Sequence, residues 1–299
     1  MPIWLNSAVI SLALLGGGAP LHQGARSARL SPHFEVVSIK EVLRSHLTHA
    51  VGLPYIGMRD PSEWQAPGQP LEFIVMYAYG LGPYENARVL GLPQWAHSEF
   101  FEIDARVPQH ASGAQIAPMV QAMLADRFRL QAHWETRKMK AVAITVAAGG
   151  PKMLRDSACD NADQSPIRYS FLADTPNVPA QKDLACATFA QAITDGTAVD
   201  VFHGFTMQQL ASLHSGAGGS LPVVNRTGLA GSFDFTLRLP VNNASAPTYA
   251  ELQAAREQPR HDQEQAFRKQ IGLNIDFSKP MTEPVRVLVI DRVEEPTPN

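Results

Sequence analysis

FEIDARV at residues 101–107 and FDFTLRL at residues 233–239 match position by position, each opening on Phe followed by an acid and carrying Arg next to last. In the first, Phe101, Ile103, Ala105 and Val107 fall on one face and Glu102, Asp104 and Arg106 on the other, the alternation of a strand half buried on a core. Each stretch follows a loop containing Gly-Leu, and the same order of elements continues on both sides. After the first copy, Ile116, Met119, Val120, Met123 and Leu124 recur at helical spacing, and residues 130–136 and 139–147 read as a hairpin closed by Gly149-Gly150-Pro151. After the second, residues 262–271 read as a helix, with strands at 273–277 and 284–293. Upstream, Pro70 opens a short helix carrying Leu71, Ile74, Val75 and Ala78. Thr206 caps its counterpart with Met207, Leu210 and Leu213, followed by a short strand at 222–225. The expectation is an internal duplication: an α+β fold of two similar helix-strand-strand-helix-strand-strand units, with antiparallel sheets covered by helices.

Working outward, residues 34–40 alternate as a strand, and 41–69, interrupted by Pro54, Pro61 and Pro67, read mostly as loop. The units are then expected over 34–150 and 201–299. Residues 151–200 hold both cysteines and weak periodicity, as a linker would. The 299 residues carry 25 Lys and Arg against 28 Asp and Glu, so the net charge of -3 provides no basic footprint for nucleic acid. No apolar run approaches the roughly 20 residues of a membrane span.

The first charged side chain is Arg26. Within the uncharged segment before it, AVISLALL at 8–15 has the length of a signal-peptide core, so residues 1–25 are expected to direct export to a secreted or periplasmic location. In an oxidising compartment Cys159 and Cys186 are expected to be bridged, at a gain of roughly 3 to 4 kcal/mol by loop-closure arithmetic; two separate buried thiols are the alternative.

FEVVSIK (34–40), MYAYGL (76–81), MVQAMLADRFRLQAHWETR (119–137), LPVVNRTGLAGSFDFTLRL (221–239) and VRVLVIDRVEEPTPN (285–299) together resemble the soil-associated DUF3738 family from residue 34 onward. The resemblance implies an exported bacterial protein without a settled biochemical role, some of whose relatives are joined to a membrane sensor-peptidase domain.

Chemistry must be read from sites. No serine lies in a GxSxG elbow: Gly218-Gly-Ser220-Leu-Pro222 has Pro where the second Gly belongs. HExxH, SxxK, P-loop and GxGxxG patterns are also missing. Ten histidines are the remaining resource. His97, Glu99, Glu102 and Asp104 crowd the start of a strand and are candidate donors for a divalent metal such as calcium or zinc; His46 with His49, and Asp160 with Asp163, are weaker sets. His203 and His214 flank the second-copy helix, where a general base can sit or a helix end be capped. His203 and His97 are the candidate catalytic residues. Trp95 and Trp134 read as core. Two functions of different class follow: a hydrolase of a small ester or lactone working through metal- or His-activated water, and a binding module that holds a ligand or envelope partner without catalysis.

Overall fold

A computed structural model describes residues 32–43, 56–109, 111–160, 167–172, 180–215, 221–240 and 260–296. The export segment, His46, His49, Asp163 and Gly216 to Gly219 lie outside the described residues.

The strand FEIDARV lies at the centre of the first sheet. β1 (Val36–Val42) pairs antiparallel with β5 (Phe100–Arg106), β5 with β3 (Glu63–Pro70), and β3 with β2 (Gly57–Asp60). Phe101, Ile103 and Ala105 point into the core, as their alternation requires. Helices α1 (Leu71–Ala78) and α3 (Gly113–Arg127) cover that face, and α2 (Trp95–Ser98) is a single turn before β5. In α3 the Ser112 N–H donates to Gln115 Oε1 at 2.8 Å in a capping box, and Ile116, Met119, Val120, Met123 and Leu124 are the buried stripe.

The proline-rich stretch is not the loop expected of it. Its described part from residue 56 onward forms β2 and β3, Pro54 lying outside the described residues, and Pro67 is tolerated because the β3–β5 register breaks between Ala66 and Gln69, where Gly68 takes φ 58. At such a bulge two residues oppose one, here Glu102, and the amide that proline lacks is not missed from the ladder.

The second half builds a five-stranded sheet. β10 (Thr197–Thr206) lies between β9 (Thr188–Thr194) and β12 (Ser232–Pro240), followed by α4 (Met207–His214); β7 (Leu154–Arg155) and β8 (Arg168–Leu172) complete the order β7-β12-β10-β9-β8, in which the β8–β9 pair is parallel. The stretch expected as a linker therefore contributes β7, β8, β9 and the start of β10. α5 (Arg260–Ala266) runs into a wider turn through Ile271, ended by Gly272 at φ 72, where an added Cβ would overlap the Gly150 carbonyl.

A third sheet joins the halves. β6 (Gln131–Val146) is one continuous strand rather than the expected hairpin, because Arg137-Lys138 has none of the Gly, Asn or Asp chemistry of a tight turn. It pairs antiparallel with β14 (Met281–Arg292) from Gln131 to Ala141. Beyond this it meets β11 (Val223–Asn225) in parallel and β13 (Leu273–Ile275) antiparallel. On the far side, β14 takes β4 (Val89–Leu90) in parallel. Each half thus lends its short strand to the long strand of the other. The cores are shared likewise: Leu288 and Ile290 of β14 close the first, while Val142 and Ile144 of β6 close the second. Residues 31–299 form one compact unit.

Phe202 is fully buried, stacked on Phe235 at 4.4 Å and 5.1 Å from both Phe189 and Phe205. Phe202→Ala is expected to cost about 3–5 kcal/mol in urea unfolding, and a loss below about 1 kcal/mol would contradict this packing. On the outer face of β6, the His133 Nδ1 lies 2.8 Å from Asp291 Oδ2, and this hydrogen bond, with Glu135 adding to it, raises the imidazole pKa. Because the folded value is raised, the stabilisation is fully present below the unfolded value of about 6.5 and disappears as pH climbs through the folded value. Asp291→Asn should move the His133 NMR titration midpoint downward and flatten the Tm profile above that pH; an unmoved midpoint would remove Asp291 as the cause.

Candidate functional site

The register of β10 against β12 breaks between Phe202 and Phe205, so that His203 and Gly204 face the single residue Asp234. This is the same irregularity as at Pro67-Gly68 opposite Glu102, on the strand that aligns with β12. Its effect is to turn His203 toward Asp234: His203 Nδ1 stands 3.0 Å from Asp234 Oδ1, and the Gly204 N–H donates to that same oxygen at 2.8 Å. Asp156 Oδ2 is 3.9 Å from Nδ1, its other oxygen accepting from the Ala158 N–H at 3.0 Å. The three side chains are 13–20% exposed, sheltered but within reach of water.

The opposite ring nitrogen faces sulfur. Cys159 and Cys186 form a disulfide with Cα atoms 5.6 Å apart, and Cys159 Sγ is 3.8 Å from His203 Nε2. The surrounding backbone is tied to the sheet. Ser232 Oγ donates to the Cys159 carbonyl, Arg168 Nη1 to the Cys186 carbonyl at 2.7 Å, and Gln181 Nε2 spans the Phe202 and Phe235 carbonyls at 3.1 and 2.9 Å. Arg155 pairs with Asp160 and lies over the Phe233 ring at 5.6 Å; the ion pair lowers the pKa of Asp160 and raises that of Arg155.

Among the described residues, donor atoms of His, Cys, Asp and Glu converge within 4.8 Å of one another in two overlapping triads, Asp156-His203-Asp234 and Cys159-Cys186-His203. His97, Glu99, Glu102 and Asp104 belong to neither. His97 projects from α2, its Nδ1 3.1 Å from Glu72 Oε2 on α1. Glu102 faces Lys40 in the register of β1, and Asp104 faces Ser38 and Gln65. Glu99 has its pKa raised by desolvation and by the negative charges of Glu295 and Glu41. The expected donor set is thus divided between α2, its C-terminal end and the polar face of β5, where alternation orders Glu102 and Asp104 on a face without making them converge. His214 caps its own helix, Nδ1 lying 2.8 Å from the Leu210 carbonyl and the ring edge-on to Phe267. Trp95 packs edge-on against Phe101 in the core. Trp134 is only half buried, with the Arg286 guanidinium 4.3 Å from its ring centre. Asp156 and Asp234 escaped the reading of the sequence. The alignment of FEIDARV with FDFTLRL did carry a signal for Asp234, since it sets that residue at the position of Glu102.

The class so defined is an α+β protein of antiparallel sheets with a His-Asp-Asp centre set against a disulfide. Residues 72–293 match the family model DUF3738, described as a protein of unknown function, and the chain belongs to that family. No curated protein and no solved structure matches it significantly.

Gly204 has φ 60, and a Cβ there would stand 2.6 Å from Cys159 Sγ and 2.7 Å from its Cβ. Left-handed backbone for a non-glycine residue costs of the order of 1–3 kcal/mol before the collision is counted. Gly204→Ala is expected to lower Tm and leave free thiols by titration with a thiol reagent; a fully oxidised variant of wild-type stability would show that the bulge adapts.

Proposed function

We propose that the protein is an extracytoplasmic hydrolase of a small ester or lactone whose reaction centre is Asp156, His203 and Asp234, acting with a divalent metal. The observation that carries this reading is the convergence of two carboxylates and an imidazole nitrogen within 4.8 Å. An imidazole in the set favours zinc over calcium, which takes oxygen ligands. Bound there, such an ion supplies a Lewis acid and lowers the pKa of a water to about 7. This route needs no serine nucleophile, and none stands in a nucleophile elbow. Gly204 fixes the Asp234 carboxylate and the Ala158 amide fixes that of Asp156, so both acids are oriented before any ion arrives. The ligand is small and weakly charged on this reading, because no strong charge excess recruits a polyion.

The two halves are, on the same reading, copies of one unit that exchange their short strands. Both carry a bulge with a left-handed glycine just ahead of a helix, at Gly68 and at Gly204. One copy places Pro67 and Glu102 at the bulge, the other His203 and Asp234. A duplicated scaffold follows, with one reaction centre among the described residues. Export is supported by the disulfide and by the uncharged residues 1–25. Among the described residues no helix is long and apolar enough to cross a membrane.

A second reading, a module that binds a ligand or an envelope partner without catalysis, is favoured by the structural work the acids already do. Each accepts a backbone N–H that holds the disulfide-bearing segment or the bulge in place.

Purified protein, with and without EDTA, assayed against a panel of activated esters and lactones separates the two. The hydrolase predicts turnover that is lost with chelator, restored by one metal, reduced at least about a hundredfold by Asp156→Asn, and unchanged by His97→Ala. No turnover across the panel, with no metal by elemental analysis, leaves the binding module. Mass spectrometry of the mature N-terminus tests export, and an intact Met1 on cytosolic protein would overturn it.

A further inference from the structure

The two triads share one imidazole and use its two different nitrogens. On the Nδ1 side lie hard oxygen donors; on the Nε2 side lie two sulfurs joined to each other. We propose that opening the Cys159–Cys186 disulfide converts the Nε2 side into a second metal site, selective for thiophilic ions such as zinc, with Cys159 Sγ, Cys186 Sγ and His203 Nε2 as ligands and Asp234 orienting the ring.

Three features prepare this site. The Asp234 carboxylate beside Nδ1 selects the tautomer with its proton there, which leaves the Nε2 lone pair directed at Cys159 Sγ, 3.8 Å away. A carboxylate behind a coordinating histidine is the usual outer support of a zinc ligand. Second, both cysteines are anchored independently of their bond, Cys159 by Ser232 on β12 and Cys186 by Arg168 on β8, so their Cα atoms, now 5.6 Å apart, stay close once it breaks. Tetrahedral coordination at about 2.3 Å per sulfur asks the sulfurs to part only to about 3.8 Å. Third, Gly204 presents bare backbone to Cys159 Sγ, where any Cβ would take up the space that sulfur occupies.

The chemistry balances with a small dithiol as reductant. The dithiol gives two electrons and two protons to the protein disulfide, becoming a cyclic disulfide and leaving two protein thiols. A zinc ion then displaces both thiol protons, which pass to solvent. Cys159 is buried and Cys186 half buried, so the reductant approaches from the Cys186 side. The inference does not rest on the hydrolase reading, because it uses the other ring nitrogen and different donors. Its consequence is a protein in which His203 Nε2 joins a sulfur-rich site for a thiophilic ion only once the disulfide is reduced.

The test is cobalt titration of the full chain, oxidised and after anaerobic reduction with dithiothreitol that is then removed. Reduced protein is expected to bind one equivalent of cobalt with an intense near-ultraviolet thiolate-to-metal band, displaced by zinc, while oxidised protein lacks that band whether or not it binds cobalt through oxygen. His203→Ala in the reduced state should weaken binding by at least about tenfold, and Asp234→Asn by roughly ten- to a hundredfold. Two titratable thiols in folded protein without the band would overturn the proposal, as would a band indifferent to His203→Ala. Unfolding on reduction that cobalt does not reverse, followed by circular dichroism, would also overturn it. Because only thiolate gives this band, a protein without esterase activity leaves the result intact.

Discussion

The antiparallel pairing of β6 with β14 is the interaction on which the rest of the structure depends. Neither half encloses its own apolar surface. The face made by α1, α3 and β5 is completed by Leu288 and Ile290, and the face made by α4, α5 and β12 is completed by Val142 and Ile144. Burial of that surface is worth about 25 cal/mol per Å², so the gain is realised only when both long strands are in register. The short parallel strands β4 and β11 reinforce the arrangement, since each is held by the long strand of the other half.

The cluster of Asp156, His203 and Asp234 is a local departure from the regularity of the sheets. A ladder of unbroken register alternates side chains across the two faces of a sheet and seldom converges three polar groups on one point. The two-against-one step at His203-Gly204 breaks the alternation, and the carboxylate opposite it accepts the displaced amide and faces the imidazole. Asp156, from the segment that leads into the disulfide, supplies the third group. The same step in the first half places a proline where the histidine stands, and no comparable centre forms there among the described residues.

How much of this was legible in the sequence depended on whether a signal was local. The alternation of FEIDARV and FDFTLRL and the apolar stripe of α3 read correctly because each depends only on neighbours a few positions away. The run from 131 to 146 reads locally as a hairpin, but partners roughly 80 to 160 residues later keep it straight. β3 was missed because Pro67 is compatible with a central strand only where a bulge relieves it, and bulges are invisible to a count of periodicity. His203 could be chosen as a candidate by its place ahead of a helix, but Asp156 lies 47 positions before it and no spacing motif links them. The cluster of His97, Glu99, Glu102 and Asp104 was attractive because it was dense in sequence; density along an extended chain spreads donors apart, whereas the donors that do meet come from three separate strands or turns.

The pairing of the two long strands also governs when the chain can fold. Contacts between β6 and β14 close a loop spanning roughly half the polypeptide, and such long-range closure is slow compared with helix or hairpin formation. Until residues 281–292 have been synthesised, the first core lacks Leu288 and Ile290, so synthesis from the N-terminal end yields no finished first half to fold ahead of the second. The first core is therefore closed only once the last long strand of the chain is in place.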